Sequence, residues 1–279
     1  ILLSIDKIKH KENSRWFWNE GLRIQTKINI DRDNNIMGVD QLCNYEPYTE
    51  LQRIQRSLYE TWILDPHSQY KNTRALILAL NVLVPPLRKN YHDMIIWRKS
   101  EPPPNNDSNY LWEEFPKRWT YVINYDKVEN KRRAKNLPRQ TFAIDDEILG
   151  VTNGKMLNNI INKSLMYYPR EYLLTGTCKT GSPMSSHMYG FTISKIFKKN
   201  VSQNLLRKAY INHFYDKHSI CIKREIAKRM RHSVEVAEQS YRKINVPTDI
   251  NDKTETIEYK DGSKRIHITI TVRIEDLEE

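Results

Sequence analysis

Two periodicities alternate along the chain. From Tyr48, the run T-E-L-Q-R-I-Q-R-S-L-Y-E-T-W-I-L places Leu51, Ile54, Leu58 and Ile63 near a 3.6-residue repeat, which predicts a helix. K-N-T-R-A-L-I-L-A-L-N-V-L-V predicts a second, more deeply buried one. Pro85 and Pro86 stop it, and Arg88 follows at once. His92 to Arg98, Arg118 to Tyr125 and Arg139 to Ile144 are β-branched and aromatic and read as strands of a small antiparallel sheet, with Ser100 to Ser108 as a loop. Thr152 to Tyr167 returns to helix, with Met156, Leu157, Ile160, Ile161 and Leu165 on one face, and Tyr189 to Phe197 is a further helix. Ser202 to Ile244 divides into three short helices, for which Ser202, Ser219 and Ser233 are N-cap candidates. Thr254 to Ile274 is a hairpin: Asp261-Gly262 supplies the turn, and Ile266, Ile268, Ile270 and Val272 alternate with polar residues. Before Tyr48 the pattern is weak, with an aromatic cluster in Trp16 to Glu20 and a loop over Asn29 to Asn35. The expected fold is α+β: a mainly helical domain over 48–246 with a small antiparallel β-sheet, an extension or linker over 1–47, and a C-terminal β-hairpin tail over 247–279.

Composition adds a partner. The 279 residues carry a net charge of +11 at a pI of about 9.4. An excess of this size favours a polyanion, chiefly nucleic acid. No apolar run approaches the roughly 20 residues of a membrane span, so no membrane partner is expected. Cys43, Cys178 and Cys221 are far apart and odd in number, so no zinc site, other metal site or disulfide framework is expected, which fits a reducing, intracellular compartment. The loop C-K-T-G-S-P-M-S-S lacks G-x-x-x-x-G-K-[ST], which disfavours an NTPase. Lys127, Lys131, Arg132, Arg133 and Lys135 crowd one basic turn between two strands. They form either a solvated charge run or a contact with a phosphate backbone.

The candidate chemistry lies in Ser202 to Ile244. A guanidinium (Arg207), an imidazole (His232) and a phenol nine residues beyond it (Tyr241) sit on one compact helical unit. In order along the chain come P-P-L-R-K-N-Y, N-Y-D-K-V-E-N-K, N-L-L-R-K-A-Y-I-N-H and M-R-H-S-V-E-V-A-E-Q-S-Y-R-K-I. This series resembles the boxes of the tyrosine recombinase, or phage-integrase-like, family over about Tyr48 to Ile244. The chain departs from the family pattern at three places: Asn204 stands where H-x-x-R has its histidine, Tyr91 where an acidic residue is expected, and Arg231 where a glycine precedes the box histidine.

The resemblance implies DNA strand cleavage and rejoining without metal or cofactor. Tyr241 would attack the scissile phosphate to give a 3′-phosphotyrosyl bond and a free 5′-hydroxyl, conserving the energy of the phosphodiester. Arg88 and Arg207 would clamp its non-bridging oxygens. Lys127, or Lys131 in another register, would protonate the leaving oxygen, and His232 would bond the phosphate or take the tyrosine proton. Asn204 can hydrogen-bond a phosphate oxygen but is neither cation nor base. Lys131, Arg132, Arg133, Lys135 and Lys208 are the expected contacts to double-stranded DNA. The implied role is recombination or integration of a mobile or viral element by a dimer or tetramer on DNA, located wherever that DNA is: nucleus, viral factory or bacterial cytoplasm. The segment before Tyr48 is too short for the family's DNA-clamping arm, so a mostly catalytic chain is expected. A type IB topoisomerase shares the same chemistry, but E-Q-S-Y (Glu238 to Tyr241) does not match its S-K-x-x-Y. A non-catalytic DNA-binding module with the same fold is the third possibility, and Asn204 is the feature in its favour.

Overall fold

A computed structural model describes residues 11–33, 36–124, 139–146, 148, 152–176, 179–215, 217–243, 257–261 and 264–268. Its elements run α1 (Lys11–Asp33), α2 (Val39–Cys43), α3 (Tyr48–Leu64), α4 (Gln69–Val82), β1 (Ile95–Trp97), β2 (Tyr110–Phe115), β3 (Arg118–Ile123), β4 (Gln140–Ala143), α5 (Gly154–Tyr167), β5 (Thr175–Gly176), β6 (Lys179–Pro183), α6 (Ser186–Phe197), α7 (Gln203–Tyr215), α8 (Ile220–Arg229), α9 (Val234–Val236), a π-helical turn (Ala237–Tyr241), β7 (Ile257–Asp261) and β8 (Lys264–Ile268). The fold is mixed α+β, as the periodicities predict. Among the described residues, no helix is long and apolar enough to cross a membrane.

Helix α4 is the hub. Ala75 to Val82 are all buried, so this helix is enclosed on every side. Helices α3, α5, α6 and α7 pack around it. Ser68 caps its start by accepting from the Lys71 amide at 3.4 Å. On α3 the buried residues are Tyr48, Leu51, Gln55 and Trp62. Trp62 replaces Ile63 in the expected core stripe, and Ile63 is 36% exposed. One residue is a rotation of about 100° on a helix, and the larger indole takes the inward position. Met37 and Tyr45 belong to the same core, so the chain before Tyr48 packs into it.

The sheet has four strands in the order β1-β2-β3-β4. Only β1–β2 is parallel; β2–β3 and β3–β4 are antiparallel. Strand β2 was not among the expected strands, and β1 covers only the end of the expected His92 to Arg98 segment. Three further expectations are corrected. Asn29 to Asp33 is helical rather than loop, as the last turn of α1. Lys179–Pro183 is a strand rather than loop, because it pairs with Thr175–Gly176. Residues 109–117, left unassigned by pattern, supply β2 and the tight turn into β3, where Lys117 adopts a φ of 63°. The C-terminal hairpin is present as β7 and β8, which pair from Ile257↔Ile268 to Asp261↔Lys264.

Candidate active site

Four local devices bring the candidate residues together. The first is the Pro-Pro stop after α4. Beyond it the Arg88 loop is clamped from two sides. The Tyr91 hydroxyl accepts from the Leu87 amide at 3.0 Å and donates to the Leu80 carbonyl at 2.9 Å. The Gln203 amide nitrogen donates to the Leu87 carbonyl at 2.8 Å and also to the Arg88 carbonyl. Tyr91, fully buried and with its phenol pushed well up by desolvation, thus does a structural job where the family has an acid. Tyr91 stands out in the sequence only as a departure from the family pattern, and Gln203 not at all. Their roles depend on partners that only the fold reveals, Gln203 being 116 positions from Leu87.

The second device is α7, buried over most of its length. Its Arg207 has no exposed surface. The guanidinium is tied to two backbone carbonyls, Nη1 to Pro86 at 2.5 Å and Nη2 to Met230 at 2.9 Å. It therefore locks the Arg88 loop to the end of α8. Burial lowers its pKa, the nearby Arg88 charge adds to that, and the Tyr241 and Tyr91 phenols work in the opposite direction.

The third is the C-terminus of α8. Arg231 takes a left-handed φ of 61°. Its amide bonds to the Lys228 carbonyl and the His232 amide to the Ala227 carbonyl, both at 3.0 Å. This is a Schellman closure, and His232 sits just past the helix end. The left-handed position explains why a glycine suits the place that Arg231 occupies: a side chain there costs about 1 kcal/mol or more. Arg231→Gly should therefore raise the unfolding free energy by up to about 1 kcal/mol, readable as a higher urea midpoint with an unchanged slope. A lower midpoint would show that the side chain contributes more than the strain.

The fourth is the π-turn. Ser233 caps α9 by accepting from the Val236 amide at 3.3 Å. The Arg242 amide then reaches back five residues to the Ala237 carbonyl at 3.0 Å. This single wide turn, a feature often found at functional sites, places the Tyr241 ring parallel to His232. Their centroids are 5.1 Å apart and their planes 20° off parallel. On the same ring the Arg207 Cζ lies 4.8 Å from the centroid. Tyr241 is 6% exposed.

The electrostatics are one-sided. Among the described residues, neither Arg88 nor Arg207 forms an ion pair with a carboxylate. Arg88 Nε, Arg207 Nε and His232 Nε2 are each buried without a hydrogen-bond partner. Burial, followed by the charges of Arg207 and Arg88, pulls the His232 pKa down to about 3, against the opposing bond to Ser233. Its Nδ1 lies 3.0 Å from the Ser233 carbonyl, which can only accept. The ring is therefore the Nδ1–H tautomer, and Nε2 carries the lone pair. Because the unfolded histidine titrates near 6.5, the unfolded chain binds the proton first. Stability contributed by neutral His232 is present above pH 6.5 and is lost as pH falls toward 3. At pH 5 the loss amounts to about 2 kcal/mol. His232→Gln should flatten the fall in melting temperature between pH 7 and 5, and an unchanged fall would mean the imidazole is not held neutral.

Two of the other predicted residues line a cavity beside this cluster. Asn204 is exposed and shares a cavity with Tyr241. Lys208, expected on a DNA-facing surface, is 8% exposed with its ammonium bonded to the Gln41 side chain. It lines the cavity that Tyr241 shares. Lys127, Lys131, Arg132, Arg133 and Lys135 lie outside the described residues. No protein-family model, no curated protein and no solved structure matches the chain.

Proposed function

We propose that the chain is a DNA strand transferase of the tyrosine recombinase type, with Tyr241 as nucleophile. One observation carries this. Arg207 and His232 flank the Tyr241 ring, Arg88 lies near both, and Arg88 Nε, Arg207 Nε and His232 Nε2 are buried without a partner; among the described residues no carboxylate pairs with either guanidinium. Buried polar groups are normally paired, and uncompensated buried cations are costly. An anion with several acceptor oxygens satisfies all three, and a phosphodiester brings both the anion and an electrophile. The phenol selects transfer over mere binding.

In the forward step the Tyr241 oxygen forms a bond to phosphorus as the bond to the 5′-oxygen breaks. The phenolic proton passes to His232 Nε2, whose basicity rises once the bound phosphate offsets the Arg207 and Arg88 charges that help hold its pKa down. The departing 5′-oxygen takes a proton from a lysine, expected to be Lys127. Arg88 and Arg207 hold the two non-bridging oxygens while negative charge grows on them. The reverse step rejoins the strand with no external energy source. The test is incubation with a pool of nicked duplexes of randomised sequence, in which the short cleaved fragment diffuses away and leaves the intermediate trapped. A detergent-resistant protein–DNA adduct is expected. Binding of the pool with no adduct on any member would favour a DNA-binding module instead.

A further inference from the structure

A second polar feature adjoins the nucleophile and is not used by the step just described. A cavity of about 440 Å³ lies between α2, the start of α7 and the π-turn. Asp40, Gln41, Asn44, Asn204, Lys208 and Tyr241 are among its lining residues. Lys208 is nine-tenths buried, and its ammonium bonds to the neutral amide oxygen of Gln41, with no carboxylate partner among the described residues. A like-signed charge acts on it from Lys243 of the segment after the π-turn, itself 7% exposed. The Asn204 amide has no hydrogen-bond partner among the described residues. Ser202 and Asn204 stand at the first turn of α7, where the helix dipole presents its positive end. Among the described residues, Asp40 is the one carboxylate lining the cavity. It is exposed and forms no ion pair with Lys208.

We propose that this cavity is a second phosphate subsite, which takes a backbone phosphate next to the scissile one on the attacked strand, with Lys208 as its cation and Asn204 as its hydrogen-bond donor. The proposal rests on the DNA-transferase reading and adds a place for the strand beyond the reacting group. The physical reason is compensation. An ammonium whose one described partner is an amide has lost hydration without gaining an opposite charge among the described residues. Burial and Lys243 together pull its pKa down to about 8, so part of its charge is surrendered near neutrality. A phosphate oxygen restores both the charge and the hydrogen bonds. Because Tyr241 lines the same cavity, an anion held there is in the immediate neighbourhood of the phosphate that Tyr241 attacks. Gln41 then has a positioning role: it holds the ammonium at the cavity wall without cancelling its charge. This also connects the short helix before Tyr48 to the reaction centre.

The test uses the full chain and a short duplex of arbitrary sequence, with affinity measured by fluorescence anisotropy over a salt series. Two variants probe the site from opposite directions. Lys208→Met removes the cation and keeps the apolar stem. Gln41→Glu, at an exposed position, keeps the cation but neutralises it internally. Each should lower the magnitude of the log-affinity against log-salt slope by about one, the signature of one lost phosphate contact. Gln41→Glu should at the same time raise the melting temperature, because it gives Lys208 a partner. A merely structural lysine would make that variant more stable with DNA binding unmoved. Unchanged slopes in both variants, with the wild type binding DNA, overturn this subsite and leave the proposed function standing. A wild type that binds no duplex overturns both.

Discussion

Arg207→Lys is expected to slow strand cleavage by about 10²–10³-fold, the usual cost of removing one preorganised donor from a developing oxyanion. The loss does not come from charge, which lysine keeps. It comes from geometry. The guanidinium spends its two terminal nitrogens on the Pro86 and Met230 carbonyls and still has Nε unpartnered in the site. An ammonium on a flexible stem cannot hold two carbonyls on opposite sides and present a further donor between them. The same substitution should lower the unfolding free energy by about 1–3 kcal/mol, since at least one buried carbonyl is left unpaired. The two effects separate experimentally. Single-turnover cleavage, measured well below the melting temperature and normalised to folded protein, reports the chemistry, and urea unfolding reports the clamp. A variant that loses stability but cleaves at the wild-type rate would confine Arg207 to holding the loop.

Tyr241→Phe is expected to abolish the covalent adduct while leaving fold and DNA affinity within a few-fold of wild type. Phenylalanine keeps the ring that stacks on His232 and receives the Arg207 guanidinium, so the packing around the π-turn survives. What disappears is the one atom that bonds to phosphorus. Because Tyr241 is 6% exposed, a surface tyrosine with no catalytic role is a poor description of it. Adduct formation that persists in the Phe variant would move the nucleophile elsewhere.

Much of this arrangement is legible from local pattern. The proline stop that releases Arg88, the serines that open α7, α8 and α9, and the nine-residue interval from His232 to Tyr241 are all short-range signals. Short-range signals survive because caps and turns are decided by neighbours in sequence. What pattern missed has a common cause in long-range contact. Strand β2 mixes aromatic and acidic residues in Tyr110–Phe115, and it becomes a strand because β1 and β3 flank it. Tyr91 and Gln203 look like ordinary polar residues until the fold brings Leu80, Leu87 and Arg88 to them. Lys208 reads as surface charge because lysine usually is. Its burial depends on α2, a short helix with only weak periodicity before it. The left-handed Arg231 is the reverse case. Its conformation follows from the helix-ending hydrogen bonds, although the residue type argues against it.

The central claim is that Tyr241 becomes joined to DNA, and peptide mapping of the trapped adduct tests it most directly. Wild-type protein is reacted with nicked duplexes, the DNA is trimmed by nuclease, and the protein is digested and sequenced by mass spectrometry. The account predicts a nucleotide remnant on the peptide containing Tyr241, attached through the phenolic oxygen to a 3′-phosphate. A remnant on any other residue, or attachment through a 5′-phosphate, would contradict it.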